Sequence, residues 1–191
     1  MSRLARTASI VAACVAQWAC TDVPPSAPTE ARLDRVVNGV SADRVVKMRD
    51  QCDPATFNAV LGAGACVREA GGPRVTFAEF NAELARRQEV NAWRFNPPET
   101  GARTGEVLLA VNEGGEGHTF TRVAAFGGGF VTPLNAPSGN PIPAPECLNV
   151  PALHIVPPGG SDAVTVGAPG TELYQCCIHP WMRTVVHVNH S

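Results

Sequence analysis

The sequence predicts an all-β sandwich with a small helical segment ahead of it, and three observations lead there. The chain has 18 Gly and 17 Pro and is 45% hydrophobic, which calls for many short elements joined by turns. Short apolar runs rich in β-branched residues recur from Ala92 to the C-terminus, as half-buried strands require. The clear helix-start signals fall between Asp53 and Thr76. At 191 residues the chain accommodates one domain of ordinary size with a leader and an appendage.

In chain order, residues 1–20 have the layout of an export leader: Arg3 and Arg6, then an uncharged run from Thr7 to Ala19. That run is shorter than the about 20 apolar residues a spanning helix needs. Cys14 and Cys20 each end a candidate lipid-attachment sequence, so a cleaved signal peptide and a lipid-anchored leader both fit, and both imply export to the periplasm or cell envelope. Residues 21–30 hold three prolines and read as an extended tether.

Residues 31–91 read as a helical N-terminal segment. Arg32 to Arg49 has a helix-compatible apolar pattern weakened by Gly39 and several valines. Asp53 as N-cap and Pro54 after it start a short helix with Phe57, Val60 and Leu61 on one face, stopped by Gly62. Thr76 with Glu79 forms a capping box ahead of the face Phe77, Phe80 and Leu84. Residues 92–191 form the β domain, with strands expected over 92–95, 106–112, 118–125, 153–156, 163–166, 171–176 and 184–188. Seven such strands fit an immunoglobulin-like topology as well as other sandwiches.

A net charge of −2 with 17% charged residues makes no electrostatic case for nucleic acid or an anionic membrane surface. Membrane contact is expected only through a lipid anchor. No Ser-His-Asp order, paired carboxylates or dinucleotide fingerprint occurs, so nothing points to hydrolysis, and the chain is not expected to be an enzyme. Gly127, Gly128 and Gly129 lack the Lys-Ser/Thr of a phosphate loop and read as a flexible surface turn.

The chemistry concentrates near the C-terminus. Cys176, His179 and Met182, spaced Cys-x2-His-x2-Met, offer a thiolate, an imidazole and a thioether to one metal, and thiolate with imidazoles and a weak axial Met is the shell of a type 1 copper site. A second imidazole is needed, and His118, on an expected strand, is the upstream candidate. Cys177 is a competing thiolate with a different spacing. His154, His187 and His190 read as ordinary surface or core histidines.

An early strand His followed by a Cys-x2-His-x2-Met loop between the last two strands resembles the cupredoxin family of plastocyanin- and azurin-like proteins, and the short loop with its His-Pro step is most similar to that of the amicyanins. The resemblance covers Trp93 to Ser191. It implies a Greek-key sandwich binding one copper ion through His118, Cys176, His179 and Met182, with electron transfer between redox partner proteins as the expected role and copper handling or storage as the alternative. The chain departs from the family pattern after the first His, where Thr119 stands in place of Asn, and a Thr hydroxyl can make a similar hydrogen bond. Trp181 fits either a docking surface around His179 or plain packing over the site.

Five cysteines remain after the leader. If Cys176 binds copper, Cys52–Cys66 and Cys147–Cys177 are the simplest pairs, since adjacent residues on an extended segment point to opposite faces and an oxidising compartment permits both bonds. Buried free thiols are the alternative, because connectivity does not follow from sequence.

Overall fold

Val46 and Met48 are completely buried while Val45, Lys47 and Arg49 are only partly covered. That alternation has a period of two, so Arg44–Arg49 is a strand and the helix-compatible reading of this stretch is corrected. Valines spaced to suit either period take the strand form here because a neighbouring strand satisfies their backbone. The computed structural model describes residues 35–37, 40–68, 74–149 and 153–191; the expected leader and tether lie outside them.

The strands are β1 (Arg35–Val37), β2 (Val40–Ala42), β3 (Arg44–Arg49), β4 (Arg94–Asn96), β5 (Glu99–Arg103), β6 (Val107–Asn112), β7 (His118–Thr119), β8 (Thr121–Val123), β9 (Ile155–Val156), β10 (Ser161–Thr165), β11 (Gly170–Gln175) and β12 (Arg183–Asn189). Two four-stranded sheets form, in the orders β10-β6-β3-β4 and β5-β12-β11-β8. β3 runs parallel to β6 and β5 parallel to β12; the other pairs in these sheets are antiparallel. Each expected strand is present, although 118–125 is split at Phe120 into β7 and β8. β3 and β5 join the sheets in addition.

Val46, Met48, Phe95 and Leu108 from the first sheet meet Ala102, Tyr174, Val186 and Val188 from the second in one core, which makes the pair a β-sandwich. Phe120 stacks on Tyr174, with ring centroids 4.5 Å apart. A smaller cluster joins Val123, Ala144, Cys147 and Cys177. Both disulfides are formed, Cys52–Cys66 and Cys147–Cys177, the second with Cα atoms 5.3 Å apart, and Cys176 is a free buried thiol.

Helix α1 (Pro54–Leu61) starts at Asp53, whose carboxylate accepts the Thr56 N–H, and α2 (Phe77–Arg87) starts with the complete Thr76–Glu79 capping box. Phe57, Phe80 and Leu84 are buried as expected, but Val60 and Leu61 are 60% and 56% exposed. Only one turn of α1 meets the protein, so a single large side chain anchors it: Phe57 packs on Phe77 at 5.3 Å, Phe80 at 5.6 Å and Trp93 at 5.5 Å. No described helix is long and apolar enough to cross a membrane.

The Gly127–Gly129 segment is not a loose surface turn. Gly128 and Gly129 are buried, Gly128 exchanges backbone hydrogen bonds with Ile142 and Ala144, and a β-carbon on Gly129 would overlap the Cys177 carbonyl oxygen. Glycine is needed there because the backbone passes directly over the residue beside Cys176.

Candidate metal centre

β11 ends at Gln175 and β12 begins at Arg183, paired with each other in register. The connection from Cys176 to Met182 is closed by its own backbone. Cys176 donates its N–H to the Met182 carbonyl at 3.0 Å, Met182 to the His179 carbonyl at 2.9 Å, and Arg183 Nε to the Pro180 carbonyl at 2.8 Å. This folds the loop back so that Cys176 and His179 face the same point. His118 reaches that point from β7, whose register against β9 pairs His118 with Val156.

Cys176 Sγ lies 3.8 Å from His118 Nδ1 and 3.9 Å from His179 Nδ1, and the two Nδ1 atoms are 3.2 Å apart. All three residues are buried. A point equidistant from these donors lies about 2.1 Å from each, close to the about 2.0–2.3 Å of bonds from a first-row metal to imidazole and thiolate. Met182 is fully buried in the same core cluster as Cys176. Thus the loop and β7 bring together His118, Cys176 and His179 as read from the sequence, and Met182 is buried at the end of the same loop.

The sulfur is prepared as a thiolate. The Thr119 and His179 N–H groups each donate to Sγ at 3.4 Å. Burial alone would raise the thiol pKa, but hydrogen bonds and charge from His118 and His179 outweigh it and hold Cys176 well below the usual thiol range. Burial likewise pushes His179 down, yet Cys176 and Glu116 prevail and carry it up to about 9. Thr119 takes the bridging role expected of it: its Oγ1 accepts the Cys177 N–H at 2.8 Å, tying β7 to the ligand loop. Cys177 points the other way, into its disulfide with Cys147.

The far nitrogens of the imidazoles have partners that sequence reasoning missed. His118 Nε2 lies 2.8 Å from Asp50 Oδ2, with both side chains fully buried, and His179 Nε2 lies 3.3 Å from Glu116 Oε2. Glu116 stands two residues before His118 and was visible as a neighbour. Asp50 follows β3, far upstream, and nothing local marked it. A carboxylate only accepts, so each Nε2 carries a proton and each Nδ1 is the nitrogen turned toward the sulfur. Two imidazole nitrogens 3.2 Å apart, 3.8 and 3.9 Å from a buried sulfur, form one compact donor set in which a cation would take the place of the Nδ1 protons. On this ground the donor set fits a soft, thiolate-binding metal such as copper.

Aromatic rings cover the loop. Trp93 meets His179 edge-on at 4.9 Å, and Trp181 lies 5.5 Å from His179 and 5.7 Å from Phe80. Trp181 is 5% exposed, so it packs over the site and is not a docking surface. An apolar groove of about 390 Å³, lined by Phe57, Leu61, Leu134 and Ile178 among others, reaches His179 and Glu116. His154 and His187 pair on the surface with Asp162 and Glu99, away from the centre.

No family model matches this sequence, and no curated protein matches it. Solved structures similar to the chain are cupredoxins. A purple cupredoxin from Nitrosopumilus maritimus is 11% identical over 76% of this chain and 99% of its own, with a TM-score of 0.41. Amicyanin from Paracoccus versutus is 18% identical over 52% and 76%, with a TM-score of 0.34. Oxidised plastocyanin from Dryopteris crassirhizoma is 20% identical over 51% and 89%, with a TM-score of 0.35.

Proposed function

We propose that this chain is a mononuclear type 1 copper protein that carries single electrons between redox partner proteins, with His118, Cys176 and His179 as strong ligands and Met182 as the weak axial one. The observation that carries the reading is the convergence of two Nδ1 atoms and one Sγ within 3.2–3.9 Å of one another inside a buried site. Copper, when bound, supplies a Cu(II)/Cu(I) couple tuned by the thiolate. The residues supply the rest: the sandwich and the closed loop hold the donors in place, which limits movement when an electron arrives, and Trp93 and Trp181 exclude water.

Burial of all three donors weighs against copper handling or storage, since exchange of metal with another protein would require opening the loop. The two disulfides suit an oxidising compartment, and export to the periplasm or cell envelope is part of the proposal. A redox partner would approach His179 over the groove bordered by Leu61, Leu134 and Ile178.

The test is optical and electrochemical. The Cu(II)-loaded protein should be blue or green from thiolate-to-copper charge transfer, show a reversible one-electron couple, and lose its colour in Cys176→Ser. Colour retained in that variant would move the ligand to Cys177. Facile metal exchange without a defined potential would favour handling.

A further inference from the structure

Both candidate ligand histidines are backed by a carboxylate, and the two carboxylates come from different parts of the chain. Asp50 is held rigidly. It is 1% exposed, its Oδ1 accepts the Gly115 N–H at 2.7 Å and its Oδ2 the Glu116 N–H at 3.0 Å, and the same Oδ2 faces His118 Nε2. Gly114 is required beside it, because a β-carbon there would overlap the Asp50 carboxylate. The Arg68 guanidinium donates to the Asp50 backbone carbonyl at 3.1 Å. Glu116 stands in the same turn and reaches His179 Nε2 at 3.3 Å, with its side chain 14% exposed.

We infer that Asp50 and Glu116 are paired positioning residues for the copper centre, fixing both imidazoles with Nδ1 inward and biasing the site toward the higher oxidation state. This rests on the copper reading above. Hydrogen bonds from a metal-bound imidazole to a carboxylate set ring orientation and raise ligand basicity. With the Cys176 thiolate the two carboxylates also place three formal negative charges around one ion. A buried anion favours the more positive oxidation state, since Coulomb attraction in a water-poor site is weakly screened. The tie also explains what the N-terminal segment does for the site: β3 delivers Asp50 to the back of His118, while α1 and α2 cover the His179 side.

The test uses the full chain and the variants Asp50→Asn, Glu116→Gln and Glu116→Ala. The two amide variants remove charge with little change of shape. Each should weaken Cu(II) binding by roughly 10–100-fold and Cu(I) binding by less, and each tenfold difference between the two raises the midpoint potential by about 59 mV. In the diamagnetic Cu(I) protein, nitrogen-15 NMR should show Nε2–H protons on His118 and His179 that exchange slowly with water. Glu116→Ala should abolish that protection at His179 and leave it at His118, which a merely structural role would not do. If Asp50→Asn fails to fold, the partly exposed Glu116 decides the matter through its two variants. Unchanged potentials in folded variants, or unchanged Nε2–H protection in Glu116→Ala, would overturn the inference while leaving a blue, reversible wild type intact. A wild type with no charge-transfer band would overturn the copper reading itself, and this inference with it.

Discussion

Replacing Thr119 by Val keeps the shape of the side chain and removes one oxygen, so it isolates the bond that ties β7 to the ligand loop. In the wild type Thr119 Oγ1 accepts the Cys177 N–H at 2.8 Å and the Thr121 hydroxyl at 3.1 Å. Thr119 and Cys177 are completely buried, so the variant leaves a backbone donor that water cannot reach. An orphaned buried donor costs about 1–3 kcal/mol. The Thr121 hydroxyl is only partly buried and turns to solvent, adding little. For a chain of this size each kcal/mol lowers Tm by about 2–4 °C. Thermal unfolding of metal-free Thr119→Val should show that drop, while Thr121→Val should stay within about 0.5 kcal/mol of wild type. In the copper protein the charge-transfer band should also shift, because the neighbouring Thr119 N–H donates to Cys176 Sγ at 3.4 Å and moves with its residue. A Thr119→Val protein as stable as wild type would show that the hydroxyl does not hold the Cys177 amide, and the account of how β7 and the loop are joined would fall.

Three further outcomes are expected. His118→Ala should weaken copper binding and, because it strips the buried Asp50 carboxylate of its imidazole partner, lower the stability of the metal-free protein, while circular dichroism still shows the β-sandwich, whose core is built without the metal; an unfolded variant would contradict this. Removing the Cys147–Cys177 bond, which spans 30 residues, should cost roughly 3.6 kcal/mol by loop entropy, against about 3 for Cys52–Cys66 with its span of 14. Denaturant titration of the two double-Ala variants measures the difference, and non-reducing peptide mapping should recover Cys147 joined to Cys177; Cys147 joined to Cys176 in the holo-protein would refute the copper assignment. Finally, burial would raise the Glu172 carboxyl, but hydrogen bonds from the Tyr174 hydroxyl and Gly167 N–H, with Arg122 beside them, hold it below its ordinary 4.5. A depressed folded-state value means stability that is present above about pH 4.5 and lost as pH falls through the folded value, so Glu172→Gln should flatten that part of the urea-midpoint profile; an unchanged slope would refute it.

The sequence by itself determined what is local. Cys176, His179 and Met182 lie within one short loop, so their spacing sufficed to name them as candidate donors. The starts of α1 and α2 were legible because Asp53 and the Thr76–Glu79 box act on amides three residues away. Most strands were legible from their alternation, whereas the cysteine pairs were only the simplest choice among open alternatives until the fold brought Cys52 to Cys66 and Cys147 to Cys177. Tertiary structure decided what depends on distant neighbours. The valines of 44–49 suit either period, and parallel pairing with β6 made them a strand. Val60 and Leu61 had the character of a buried face, yet both stay more than half exposed on α1. Gly129 looked like slack in a loop until the Cys177 carbonyl closed over it. Asp50 carries no local mark at all: its position behind His118, 68 residues along the chain, exists only because the sheet places the end of β3 beside the turn that leads into β7, where two backbone amides and an imidazole together make a buried carboxylate stable.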